Sequence, residues 1–212
     1  MKLYIYDHCP FCVRARMIFG LKKIAVEEIV LLDSDIDTPT RMIGRKMLPI
    51  LQKEDGSYLP ESMDIVHYID KLNEPRYAGG EVSAEIDAWF KAVSKTVSKL
   101  VTPRFVETDF PEVSTAEAKK AYLTRVTKSY GDLTVLYKET HTLLIELEPQ
   151  MQLLDIWLEN RNDNFDLNDF IIFPILRSLS IVDELSFSTN VNNYMVRVAK
   201  ATGVNLLFEQ AK

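Results

Sequence analysis

The chain has 212 residues, 47% of them hydrophobic, which suffices for two modest domains or one large one, each with a real core. Its 25 Lys and Arg against 31 Asp and Glu leave a formal charge of −6 with no dense basic stretch, so nucleic acid is excluded as an expected direct ligand. No charged-then-apolar leader precedes Lys2-Leu3-Tyr4 and no apolar run reaches about 18 residues, so neither a signal peptide nor a membrane span is expected and the cytoplasm is the default compartment.

The first 72 residues or so alternate between strand and helix periodicity. Lys2 to Tyr6 reads as a buried strand, Phe11 to Leu21 as a helix, and Ala25 to Leu32 as a second strand parallel to the first. Thr38-Pro39 opens a short helical segment over Thr40 to Arg45. Met47 to Lys53 and Ser57 to Leu59 flank Asp55-Gly56, a strong hairpin turn. Ser62 followed by Ile65, Val66, Tyr68, Ile69 and Leu72 predicts an apolar helix face behind a capping hydroxyl. The order βαβαββα is that of a thioredoxin-like sheet, so residues 1–72 are expected to form an α/β domain of that kind.

Residues 73–83, with Glu74-Pro75-Arg76-Tyr77-Ala78-Gly79-Gly80, break the pattern as a linker. From Ala84 the strand period disappears. Ile86, Trp89, Phe90, Val93, Val97, Leu100 and Val101 fall at helical spacing, as do Leu143, Leu144, Leu147, Met151, Leu154 and Trp157-Leu158, so residues 84–212 read as an all-helical domain. Ser114-Thr115-Ala116-Glu117 reads as a capping box, and Gly203 should end a last helix beginning near Val191. The faces carrying Ile86, Trp89, Phe90 and the Leu143 to Trp157 series are too extensive to be solvated. Some of them should dock on the first domain, leaving a cleft between domains beside Cys9.

The only two cysteines stand as Cys9-Pro10-Phe11-Cys12, where the first strand turns into the first helix. Free N–H groups and the positive end of the helix dipole stabilise a thiolate there, and the thiolate is the form that attacks disulfides. Cys9, nearer the helix start, reads as the nucleophile and Cys12, one turn deeper, as the resolving thiol. A zinc site would need four ligands, and the chain offers only His8, His67 and His141 beyond the cysteines, scattered along it. No metal is therefore expected. A structural disulfide spanning so small a ring would remove little unfolded-chain entropy.

Pro49 sits at the start of a hairpin strand, where a cis bond or an edge position would accommodate it. In thiol-redox proteins of this fold such a proline faces the cysteines and leaves the backbone of the preceding residue, Leu48, free to pair with a peptide-like thiol. Glu61-Ser62 opens the third helix, so a hydroxyl and the first N–H groups form an anion site beside a carboxylate. The α-carboxylate and α-ammonium of a γ-glutamyl group match it, which makes glutathione the expected ligand. A Ser62 that only caps its own helix would produce the same local pattern.

The chain resembles the two-domain bacterial glutaredoxins of the glutaredoxin 2 type, whose architecture is glutathione-transferase-like. Lys2 to Pro10, Ala15 to Lys22, Thr38 to Met42, Pro49 to Lys53 and Pro60 to Tyr68 carry the likeness. The resemblance implies a glutathione-dependent disulfide oxidoreductase with Cys9 and Cys12 as redox pair and Leu48, Pro49, Glu61 and Ser62 at the glutathione site. It also implies glutathionylated and disulfide-containing proteins as partners and a monomer as the working form. Phe11 departs from the family, which usually carries tyrosine; the ring can still pack on glutathione without the phenolic hydrogen bond. Lys22, Arg45 and Lys46 are the nearby cations for the glycine carboxylate. Asp166 resembles the N-capping residue of the transferase helical domain, expected to accept from the Asp169 N–H and start a helix over Phe170 to Leu179 that kinks at Pro174. A transferase using Cys9 alone and a non-enzymatic scaffold share the architecture; the second cysteine speaks against both.

Overall fold

A computed structural model describes residues 1–212. The first half of its fold is a four-stranded sheet of β1 (Lys2–Ile5), β2 (Glu27–Val30), β3 (Ile50–Gln52) and β4 (Tyr58–Pro60), in the spatial order β2-β1-β3-β4. β1 and β2 are parallel, with Lys2 opposite Glu27 and Ile5 opposite Val30, and the other two pairings are antiparallel. Strand alternation divides the side chains. Leu3, Ile5 and Leu51 face helices α1 (Pro10–Lys22) and α3 (Ser62–Asp70), while Tyr4 and Ile50 pack on the other face against Met42 and Ile43 of α2 (Asp37–Ile43).

Several boundaries differ from the reading of the sequence, each for a local reason. Helix α2 begins at Asp37, upstream of Pro39, because the Asp35 carboxylate accepts from the Thr38 N–H at 2.9 Å and a proline in the first turn has no N–H to satisfy. Strand β3 begins only after Pro49, which has no N–H to contribute to a ladder. Glu61, not Ser62, takes the N-cap position of α3, and neither side chain caps the helix. The Asp55-Gly56 turn stands as expected, with Gly56 at φ 82° and the Asp55 carboxylate accepting from the Ser57 N–H at 2.9 Å.

The second half contains α4 (Ala84–Glu107), α5 (Ala116–Tyr130), α6 (Leu133–Lys138), α7 (Thr140–Glu159), α8 (Asp169–Leu179) and α9 (Thr189–Thr202), with a 3₁₀ turn at Pro111–Val113 between α4 and α5. Ser83 caps α4 through the Ile86 N–H. Thr115 caps α5 through the Ala118 N–H at 3.1 Å, so the hydroxyl lies one residue beyond the Ser114 of the expected box. Gly203 ends α9 at φ 70°. The start of α8 reverses the expected bond: the Asp169 carboxylate accepts from the Asp166 N–H at 2.8 Å, while Asp166 accepts from the Asn168 N–H. Asp169 is fully buried and also takes bonds from Arg161 and the Tyr194 hydroxyl, which fix it as the acceptor.

One apolar core runs through both halves, from Leu3, Met17 and Ile18 to Phe170, Phe173 and Met195. α1 is its axis, packed by α3 on one side and by α8 and α9 on the other. That explains why α1 buries Val13, Ala15, Met17, Ile18 and Leu21 around nearly its whole circumference. The docking helices are therefore α8 and α9; the α7 series beginning at Leu143 packs on α4 and α9 instead. Polar groups join the halves as well. Arg177 of α8 donates to the Asp7 carbonyl at 2.8 Å and to the Asp7 carboxylate, and buried Lys22 donates to the carbonyls of Asp70, Asn73 and Pro75, fastening the linker. No helix is long and apolar enough to cross a membrane.

Candidate active site

Cys9 is the N-cap residue of α1, at φ −73° and ψ 120°, half-buried, with Pro10 as the first helical residue. Cys12 is fully buried and its Sγ accepts from the Tyr6 N–H at 3.4 Å. The two are unbridged. The Cys9 thiol is pulled down to about 6, chiefly by a hydrogen bond from the Cys12 thiol, with the charge of His8 and the N–H groups of Cys12 and Phe11 acting against the cost of burial. Burial first, then the bond to Cys9 and its charge, push Cys12 well above the ordinary thiol range. At neutral pH the arrangement therefore offers a thiolate at the helix start and a neutral thiol beneath it.

The Leu48-Pro49 bond is cis, and neither the N–H nor the C=O of Leu48 has a backbone partner. A cleft of ≈ 460 Å³ brings Cys9, Phe11, Lys46 and Leu48 from the sheet half together with Phe90, Val97, Val101, Phe105 and Tyr122 from the helical half. Buried Pro49 supports this edge, whereas Glu61 and Ser62 do not line the cleft. Glu61 holds φ at 69°, a left-handed conformation that costs a non-glycine residue about 1–3 kcal/mol. Its carboxylate accepts from Arg45 at 2.9 Å. No side chain caps α3, so its first amides, Ser62 among them, stay open to a ligand.

Of the three cations near the motif in the sequence, Lys22 is at the far end of α1 and committed to three carbonyls. Arg45 pairs with Glu61 and Lys46 with Asp33. A cation that the sequence reading passed over is Arg14. Its guanidinium lies 4.8 Å from the Phe11 ring centroid and 5.5 Å from that of Phe90, and its Nε donates to the Phe170 carbonyl at 3.0 Å. That carbonyl is free because Pro174, four residues on in α8, has no N–H to offer it.

His8 and Glu112 were also not singled out. The Glu112 carboxylate, from the 3₁₀ turn, accepts the His8 backbone N–H at 3.0 Å and lies 2.5 Å from His8 Nδ1. His8 stands next to the cysteine motif and could have been suspected from that alone. Glu112 is 104 residues away, and no local pattern announces it.

A mixed sheet carrying a cysteine pair at the start of its first helix, docked on a helical bundle, defines the thiol-redox class of glutathione-transferase-like proteins. The profile described as "Glutathione S-transferase, N-terminal domain" matches residues 3–77 and "Glutaredoxin 2, C terminal domain" matches residues 85–211. Glutaredoxin 2 of Escherichia coli K12 is 44% identical over 214 aligned residues, covering 100% of both chains. The crystal structure of glutaredoxin 2 from Salmonella typhimurium in complex with glutathione is similar at a TM-score of 0.94 and 43% identity, over 100% of this chain and 98% of that one. A glutathione-bound glutathione S-transferase from Methylobacillus flagellatus shares the fold at a TM-score of 0.64 and 18% identity, over 99% and 98% of the two chains. The chain belongs to the glutaredoxin 2 family.

Proposed function

We propose that this glutaredoxin 2 family member reduces glutathione mixed disulfides and protein disulfides at the expense of glutathione, with Cys9 as nucleophile and Cys12 as resolving thiol. The Cys9 thiolate attacks the glutathione sulfur of a mixed disulfide; the S–S bond breaks and the protein thiolate leaves, taking a proton from solvent. A second glutathione thiolate then attacks the Cys9–glutathione bond, releasing glutathione disulfide and the Cys9 thiolate. With a protein disulfide, Cys9 first forms a mixed disulfide with the protein, Cys12 displaces it, and two glutathiones reduce the Cys9–Cys12 bond.

One observation carries this reading: Cys9 is lowered to about 6 while Cys12 is raised, so one member of the pair is ionised and the other holds a proton at the same pH. In the glutathione site that supports the cycle, the unpaired Leu48 backbone beside cis-Pro49 takes the cysteinyl peptide in strand fashion and Phe11 packs on it. Ser62 and the open amides of α3 receive the γ-glutamyl carboxylate, and Glu61 faces its ammonium. That the Salmonella relative was crystallised in complex with glutathione supports glutathione as the ligand. Residues 1–72 form the glutaredoxin domain and 84–212 the helical domain in this reading, with 73–83 between them. A monomer in the cytoplasm is the working form, since a reducing compartment keeps such a thiol pair available.

The test is a glutathione-coupled reduction assay on a mixed disulfide and on a protein disulfide, with each cysteine changed to serine. Cys9→Ser should abolish both activities. Cys12→Ser should lose the protein disulfide reaction and keep much of the other. Equal loss in both variants on the mixed disulfide would remove the monothiol cycle.

A further inference from the structure

The Glu112 carboxylate is wholly buried, and His8 is the only basic side chain within ion-pair distance of it. Its Oε2 has no hydrogen-bond partner within the protein. Burying a carboxylate with one oxygen unsatisfied is costly, so a fold that keeps one there uses it. What Glu112 does contact is a single residue twice: Oε1 takes both the backbone N–H and the ring Nδ1 of His8. The turn that carries it is pinned to the sheet half, since the Glu112 carbonyl accepts from the Asp33 N–H at 2.8 Å. The imidazole is enclosed by Tyr6 at 6.0 Å and by Phe105 and Tyr122, each at 5.2 Å, so its orientation is fixed by aromatic walls as well.

We propose that Glu112 is a positioning residue that acts through His8, so that the helical half of the molecule sets the reactivity of the Cys9 nucleophile in the other half. With Nδ1 committed to the carboxylate and aromatic rings on its faces, the imidazole is held in one orientation toward the cleft. That ring adjoins Cys9 in the chain and lines the same cleft. Consistent with this, the charge of His8 is among the causes that lower Cys9. Burial works against the Glu112 charge, yet the bonds and charge of His8 hold that carboxylate below its ordinary range. The other ionisable groups around the ring are accounted for. Tyr6 and Tyr122 are raised by burial and stay neutral, Arg125 is paired with Asp33, Arg177 with Asp7, and Cys12 is a neutral thiol.

The inference rests on Cys9 being the nucleophile, and its test separates the two. Glu112→Gln removes a negative charge, and by direct electrostatics alone that would lower the Cys9 pKa or leave it unchanged. Acting through His8, the same substitution releases the ring whose placement lowers Cys9 and should raise it. We expect the midpoint of the Cys9 thiolate absorbance, titrated in a Cys12→Ser background, to shift upward by about one unit, with alkylation by iodoacetamide at pH 6 slowed about fivefold. The paired variant His8→Phe with Glu112→Gln keeps the aromatic packing and leaves no lone buried charge; it should show the same upward shift. Glu112→Asp should recover part of the lost rate. An unshifted or lowered Cys9 pKa in folded Glu112→Gln and in the paired variant overturns the proposal. Loss of the iodoacetamide reaction only on changing Cys12, and not Cys9, would instead overturn the parent mechanism.

Discussion

Replacing Gly20 by alanine is expected to push α1 and α9 apart and to destabilise the molecule despite a better helix former in α1. A Cβ at Gly20 would lie 1.9 Å from the Thr202 carbonyl oxygen, 2.5 Å from its carbon and 2.7 Å from its Cα. All three are backbone atoms of α9, so no side-chain rotation relieves them. Ordinary contact begins near 3.4 Å, which means a separation of about 1.5 Å where the two halves share their core. Overpacking of this kind costs typically 1–3 kcal/mol, and a rigid backbone obstacle puts this site at about 3 kcal/mol. The gain from Gly to Ala inside a helix is about 1 kcal/mol. The net is a loss of about 2 kcal/mol, or roughly 4–8 °C in Tm for a chain of this size. Urea and thermal unfolding of the purified variant measure it. A Gly20→Ala protein as stable as the parent, or more stable, would show that helix propensity outweighs the clash and that α1 and α9 are not closely docked.

The remaining expectations follow from the same geometry. Because Cys9 is lowered to about 6, its thiolate should be populated as pH rises through about 6 and be nearly complete by about pH 7. Alkylation rates between pH 4 and 9 read this, and a midpoint near the free-cysteine value of about 8.5 would refute the assignment. Ser62→Ala and Glu61→Gln should raise KM for glutathione mixed disulfides more than they lower kcat, since both groups act away from the sulfur under attack; unchanged KM in both would take them out of the site. A fragment of residues 1–72 should be poorly soluble or loosely folded, because it exposes the face of α1 that α8 and α9 cover. Cooperative unfolding of a soluble fragment with full activity would contradict that.

The legible parts of this protein are those encoded within a few residues. The Cys9-x-x-Cys12 spacing at a strand-to-helix turn, the Asp55-Gly56 hairpin, the Leu48-Pro49 pair and the αL glycine after α9 each carry their own backbone or chemical requirement, so they could be read in order. Periodicity likewise separated strands from helices, because one buried face imposes a period of 2 or 3.6 wherever it lies. What a cap bonds to was less accessible. Ser62, Ser114 and Asp166 were sensible capping residues by type, yet Glu61, Thr115 and Asn168 hold the N-cap positions, because the angle at which each chain segment enters its helix is set by its tertiary surroundings. The pairing of the halves was out of reach altogether. That Pro174 frees a carbonyl for Arg14, that Gly20 admits Thr202, and that Glu112 meets His8 depend on α8, α9 and the 3₁₀ turn arriving at α1 from more than 100 residues away. Sequence by itself determined the cysteine pair at a strand-to-helix turn and the two kinds of fold, mixed sheet and helical bundle, since those follow from local propensity and chemistry. Only the tertiary structure decided which charges surround Cys9, because electrostatic fields act through space between groups that the chain does not list together.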